Sequence, residues 1–144
     1  MDDTEKLNEL AARCEASDGP DRDLDWMVAD AIGHQAFERK VAIWPPFMPG
    51  SKLDKTVPYY TASLEAAMTL VPEGWNWMAG NRDQPVARAY VNNGQLHYAG
   101  YGTRRNPKHL WSEVVAATPA LALTAAALKA RALAGEGATE AVTG

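Results

Sequence analysis

Apolar side chains recur at helical spacing in several stretches of the chain. The spacing i, i+3, i+4, i+7 gives each stretch one apolar stripe, which is typical of an amphipathic helix packed on a core. The stretches that show it are 4–15, 20–32, 61–71 and 118–134. Thr118-Pro119 marks the start of the last one, because proline suits the first helical position. The pattern predicts about four helices, and it places Cys14 in the core as a small apolar residue rather than a nucleophile.

A second pattern, the alternation of apolar and polar residues, occupies the stretch between the third and fourth predicted helices. The strands it predicts are 75–79, 85–91, 96–101 and, unless that segment is a helical turn, 109–115. Asn93-Gly94 is a strong hairpin signal, and a two-residue turn there would place Val91 opposite Leu96. Segregated strands and helices indicate an α+β domain. We predict a three-layer α-β-α sandwich, with helices on both faces of a small, mainly antiparallel sheet of three to four strands.

The 144 residues are enough for a single domain, which we expect to span 1–134. Residues 41–59 interrupt the regular pattern with prolines and aromatic residues, and the prolines exclude a regular helix or a central strand. Such an arm is equally suited to carry a function or to cover one edge of the sheet. Residues 135–144 are mostly small and lack a core pattern, which predicts a disordered tail.

Composition and charge argue against several classes of function. Hydrophobic residues make up 47% and charged residues 22% of the chain, as in an ordinary globular protein, and the net charge of -4 disfavours general nucleic-acid binding. The N-terminus has no apolar signal core, and the longest apolar run is too short for a membrane span. We therefore expect a soluble, cytoplasmic protein without a membrane partner. A short sheet also leaves an edge that a second copy could cover, so a homo-oligomer is an open alternative.

The sequence contains no recognisable catalytic motif, nucleotide-binding loop or metal-binding motif. Asp21, Asp23 and Asp25 have the spacing that begins a calcium loop, but Trp26 stands where such a loop requires glycine. The three histidines are far apart in the chain, with no second metal ligand at local spacing. We predict that the protein is not an enzyme and that it has no catalytic residues, no metal site and no cofactor.

Aromatic and basic residues cluster in the predicted strand region and form the candidate ligand site. Aromatic rings can stack on bases, and arginines can hold phosphates with two parallel hydrogen bonds, so together they favour a nucleotide-type ligand. The candidate residues are Trp75, Trp77, Arg88, Tyr90, His97, Tyr101, Arg104 and Arg105. The alternative is that the aromatic residues fill the core while the arginines lie at its surface.

Two further functions remain open at this point. The first helices are acidic, and their aspartates could imitate nucleic-acid phosphates and so inhibit a host DNA-handling enzyme. The aspartates concerned are Asp18, Asp21, Asp23, Asp25 and Asp30. A solvated helix face explains the same residues. The chain could also be an unrecognised hydrolase, which would require His97 or His109 beside a carboxylate.

Three blocks of sequence resemble a known family. They lie at 7–25, at 60–75 and at 117–123, and they consist of helix caps, apolar stripes and turns. Together, in this order, they resemble the phage α-β-α sandwich domain family of uncharacterised bacteriophage and prophage proteins. The resemblance implies the sandwich fold but supplies no catalytic residues. It implies a phage setting but no activity, because the family has no established one. In that setting the first hypothesis is a non-enzymatic accessory protein that binds a host protein or a small ligand in the bacterial cytoplasm. The aromatic and basic cluster favours a nucleotide-type molecule, which would be sequestered as a counter-defence.

Overall fold

The computed structural model describes residues 3–33, 57–81, 85–95 and 106–143, with side chains as far as Gly135. These ranges contain four helices and a three-stranded antiparallel sheet, so the predicted α+β class is confirmed. In chain order the elements are α1 (Asp3–Ala16), α2 (Arg22–Ala31), α3 (Leu64–Met68), β1 (Asn76–Gly80), β2 (Ala87–Asn92), β3 (Trp111–Ala116) and α4 (Pro119–Thr143). The segment 109–115, for which the sequence allowed a strand or a helical turn, contains most of strand β3.

The sheet has the order β1-β2-β3, and both neighbours are antiparallel to β2. Val91 of β2 lies opposite Trp77 on one side and Ser112 on the other. Both edges of β2 are therefore occupied, and the predicted hairpin that paired Val91 with Leu96 is wrong. The third predicted strand, 96–101, lies outside the described residues. The true partner of β2 on that side comes from farther along the chain, which a local turn signal cannot reveal.

The inner face of the sheet packs on α4. Its buried residues are Ala87, Ala89, Val91, Ser112, Val114 and Ala116. On its other sides α4 contacts α1 and α3, and α1 in turn contacts α2 and β3. Small side chains on both surfaces allow α4 to approach the strands closely, and α4 is buried all round from Ala120 to Leu128. The arrangement is consistent with the predicted sandwich, of which the described helices form the layer on the inner face.

Helix ends depart from the predictions in three places. Helix α2 begins at Arg22 rather than at residue 20, and Asp21 is its N-cap: the Asp21 carboxylate accepts hydrogen bonds from the backbone N–H groups of Asp23 and Leu24. Ser63 caps α3, which ends at Met68 rather than at 71. Helix α4 continues to Thr143, past the predicted end at 134.

A buried polar cluster attaches the segment at 57–61 to α2. The Asp25 carboxylate accepts hydrogen bonds from the backbone N–H and the hydroxyl of Thr61, both at 2.8 Å, and pairs with Arg22 at 3.1 Å. Arg22 also donates to the carbonyl of Val57 at 2.9 Å and lies 3.8 Å from the ring centre of Tyr59. Burial raises the pKa of Asp25, although the hydrogen bonds from Thr61 and Arg22 act in the opposite direction. We call this cluster the Asp25 clasp.

Candidate functional site: the outer face of the sheet

The face of the sheet that points away from α4 is exposed, and we call it the outer face. Side chains alternate between the two faces of a strand, so each strand contributes every second residue. Three cross-strand rows result: Asn76, Asn92 and Trp111; then Met78, Tyr90 and Glu113; then Gly80, Arg88 and Val115. Apolar, aromatic, charged and amide side chains therefore share one small surface.

A concavity of about 360 Å³ lies on this face where Gly80 contributes no side chain. A side-chain carbon placed on Gly80 would meet no atom within 4 Å, so the space is open. The walls are formed by Met78, Arg88, Tyr90 and Glu113. Met78 is 71% exposed, which is unusual for a large apolar residue, and its flexible thioether can adapt to a ligand.

Arg88 and Glu113 form an ion pair at the edge of the concavity. Nη1 of Arg88 lies 3.3 Å from Oε1 of Glu113, and the two side chains are 69% and 46% exposed. An ion pair this exposed contributes less than about 1 kcal/mol. Arg88 can therefore exchange Glu113 for another anion at little cost in stability.

The aromatic part of the outer face is held by neighbours on both sides. Tyr90 stacks on Trp111 with 6.0 Å between ring centres and 29° between planes. The Tyr90 hydroxyl lies 3.4 Å from Nε2 of His109, and Nδ1 of the same ring lies 2.8 Å from the Gln95 carbonyl. A carbonyl only accepts, so in the neutral ring Nδ1 carries the proton and Nε2 accepts from Tyr90. These contacts hold the Tyr90 ring in place beside the concavity.

Asn93 closes the base of the connection between β2 and β3. Its side-chain oxygen accepts from the backbone N–H of Leu110 at 3.2 Å, and its side-chain nitrogen donates to the Lys108 carbonyl at 2.7 Å. Gly94 follows with a φ of 82°, a conformation that suits glycine. The Asn93-Gly94 pair therefore lies directly after the last residue of β2. Its structural role is to bind the returning chain just before β3.

The sheet separates the members of the predicted aromatic and basic cluster that the structure describes. Trp75 and Trp77 are partly buried and pack against the core on the inner side, as the alternative interpretation expected. Arg88 and Tyr90 lie on the outer face. The remaining predicted members, His97, Tyr101, Arg104 and Arg105, lie outside the described residues.

Sequence reasoning missed three contributors to the outer face: Met78, Trp111 and Glu113. Each was assigned to a strand or to an ambiguous segment, but none was linked to Arg88 or Tyr90. The link depends on the register, which places Glu113 directly opposite Tyr90. The alternation in 75–79 correctly predicts Met78 on the face opposite Trp77, but it does not reveal the partners of Met78 on the other strands.

The aspartates of the first helices do not form one acidic face. Asp25 is buried in the clasp, Asp21 caps α2, and Asp30 pairs with Lys6 at 3.3 Å. A phosphate-mimicking surface would require these carboxylates to be exposed together, and the burial of Asp25 argues against it.

Cys14 is buried as predicted, and burial raises the pKa of its thiol to about 12, so the thiol stays protonated at neutral pH.

No group of three or more histidine, cysteine, aspartate or glutamate side chains in the described ranges is arranged to hold a metal ion. No helix within the same ranges combines the length and hydrophobicity that a membrane span requires.

No family model, no curated protein and no solved structure matches this chain. Membership of the phage sandwich family therefore stays a prediction, and the outer face has to be interpreted from its own geometry.

Proposed function

We propose that this chain is a non-enzymatic phage accessory protein and that its outer face captures a nucleotide-type molecule. The concavity over Gly80, with the weakly held Arg88 at its edge, is the observation that carries the proposal. A base would lie against Met78 and the Tyr90 ring, while a phosphate would take the place of Glu113 on Arg88. A guanidinium binds phosphate with two parallel hydrogen bonds, which are stronger than neutral ones.

Size favours a small ligand over a folded protein. Three strands and five residues span roughly 10 Å by 14 Å, so the outer face offers only a few hundred Å². A stable protein interface buries about 800 Å² on each partner. The concavity of about 360 Å³, in contrast, is within the size range of small-molecule sites.

The biological setting of the proposal comes from the resemblance to phage proteins. In that setting the protein acts in the cytoplasm of the bacterial host and sequesters a nucleotide-type defence signal. Binding alone would be sufficient for this role, so the proposal needs no metal, cofactor or catalytic residue.

Native mass spectrometry of the full chain purified from a bacterial cytoplasm is the first experiment. We expect an additional mass that is lost on denaturation. Isothermal titration calorimetry with a nucleoside monophosphate, a nucleoside triphosphate and a cyclic dinucleotide then defines the ligand class. A chain that is free of ligand and binds no member of this panel would overturn the proposal.

Variants locate the binding to the outer face. Gly80→Phe should fill the concavity, since a Cβ atom at this position meets no atom within 4 Å, and Arg88→Ala should remove the phosphate contact. Each should weaken nucleotide binding about tenfold or more. Lys6→Ala is the matched control, because the Lys6–Asp30 ion pair is also exposed and also has a length of 3.3 Å. Equal nucleotide affinity in all three variants would show that the ligand does not bind at the outer face.

A host protein is the second candidate partner, favoured by the exposure of Met78 and Val115 on the same face. A partner that recognises these two apolar side chains should be lost from a pull-down with Met78→Glu. Arg88→Ala should leave this pull-down unchanged, whereas the same substitution should weaken nucleotide binding.

A further inference from the structure

A second concavity, of about 500 Å³, lies on the helical side of the molecule. It is formed by the start of α1, the end of α2, the turn after α3 and the region of α4 near Gly135. Its apolar walls are Leu7, Ala31, Ile32, Pro72 and Ala134, and its polar lining includes Asp3, Glu73 and Arg131. We call it the Arg131 groove.

Arg131 is a half-buried cation without a counter-ion in the described part of the chain. Its Nε donates to the Leu70 carbonyl at 2.7 Å, and no described carboxylate lies within ion-pair distance. Burial lowers the pKa of Arg131, as expected for a cation whose lost hydration is only partly replaced. Arg22 is also half-buried but has both a carboxylate and a carbonyl as partners.

The Arg131 side chain has donors available for a ligand. Guanidinium has five N–H donors, and only the one on Nε is used within the described residues. The two terminal nitrogens match the two oxygens of a carboxylate, which is the strongest pairing open to them. The Nε contact with Leu70 would meanwhile keep the guanidinium in place.

The other charged residues of the groove restrict the ligand further. Asp3 and Glu73 are exposed carboxylates at its border, so they disfavour a ligand with a second negative charge. The apolar walls suit a hydrocarbon body. We propose that the Arg131 groove binds a small monocarboxylate with an apolar body, of the medium-chain fatty acid class, with its carboxylate on Arg131.

The test is calorimetric titration of the full chain with decanoate below its micelle concentration. Two comparison ligands isolate the role of charge. Decan-1-ol has the same hydrocarbon body without the carboxylate, and decanedioate carries a second carboxylate. We expect saturable binding of decanoate and binding of the other two that is weaker by about tenfold or more. Absence of saturable decanoate binding, or equal binding of decan-1-ol, would overturn the proposal.

Substitutions test the assigned position. Arg131→Gln keeps a donor for the Leu70 carbonyl but removes the charge, and it should weaken decanoate binding about tenfold or more. Lys129→Gln is the control, because Lys129 is a neighbouring half-buried base of α4 that pairs with Glu15 outside the groove.

Gly135→Leu provides a second test if Arg131→Gln fails to fold. A Cβ atom placed on Gly135 would meet no atom within 4 Å, and leucine favours a helix more than glycine does, so this variant should fold and fill the groove. Loss of decanoate binding in folded Gly135→Leu would support the proposal. Unchanged affinity in that variant would overturn it.

Discussion

The two faces of the sheet belong to the same three strands but differ in burial and in the kinds of side chain they carry. The buried residues of the inner face, such as Ala89 and Val114, are mostly small and apolar, and α4 packs against them. The outer face mixes Met78, Arg88 and Tyr90, of which none is fully buried in the structure. Packing thus restricts the size and polarity of one face, while the other is available for binding. Substitutions on the two faces should have different effects.

Two adjacent valines provide the sharpest test of this difference. Val114 is 1% exposed on the inner face, and Val115 is 42% exposed on the outer face. Val114→Asp would bury an unpaired carboxylate beside α4, and we expect it to cost on the order of 4 kcal/mol or more, enough to unfold many domains. Val115→Asp should cost less than about 1 kcal/mol. Urea unfolding followed by circular dichroism measures both, and similar losses would refute the assignment of the faces.

The helical layer behind the inner face should show the next largest effect. Thr61→Val removes the hydroxyl that donates to Asp25 and leaves the buried carboxylate with one partner fewer. We expect a decrease of about 1–3 kcal/mol in the free energy of unfolding. Thr69→Val is the control, because the hydroxyl of Thr69 is exposed and donates to the nearby Ala66 carbonyl. A loss in the control as large as in Thr61→Val would show that the clasp is not what stabilises the fold.

The Asp25 clasp also predicts a dependence on pH. The pKa of Asp25 is raised in the folded chain from its ordinary value of 3.8, so folding favours the protonated form. The stability that Asp25 contributes should therefore be greatest below pH 3.8 and decrease as the pH rises through its folded pKa. Unfolding free energies of the wild type and Asp25→Asn, compared between pH 3 and 7, measure this contribution. Asn8→Ala is the control, because this substitution removes no titrating group and its effect on the unfolding free energy should not change with pH. A difference between wild type and Asp25→Asn that is likewise independent of pH would contradict the prediction.

The smallest effect on stability is expected on the outer face. Glu113→Gln removes the partner of Arg88 but should change the free energy of unfolding by less than about 0.5 kcal/mol. Because Arg88 is then released, affinity for a phosphate-bearing ligand should rise about two- to tenfold. Calorimetry with the best nucleotide of the panel measures the change, and weaker binding would show that Glu113 contacts the ligand directly.

Local patterns were sufficient for much of the fold. Helices α1 and α2 follow from their apolar stripes, and the alternation in β1 correctly separates Trp77 from Met78. These predictions succeed because a helix or strand shows its own period within a few residues. The end of α3 was predicted less well, since Val71 packs against the core beyond the last helical residue and continued the apparent stripe.

The candidate site could be predicted only in part. Arg88 and Tyr90 were identified from their residue types, but the same reasoning grouped them with Trp75 and Trp77, which pack on the inner side. Closeness in sequence was taken as closeness in space. In a sheet, neighbouring residues point to opposite faces, so the partners of Tyr90 are Met78 and Glu113 on other strands.

The sequence by itself determined the α+β class, the amphipathic helices α1 and α2 and the burial of Cys14, because each follows from the local spacing of apolar and polar residues. Only the tertiary structure decided which strand pairs with β2, that Asp25 is buried with Thr61, and that Gly80 opens a concavity beside Arg88. These features join residues far apart in the chain. Backbone hydrogen bonds form equally well with any strand, so the choice of partner depends on packing against α4 rather than on a local signal.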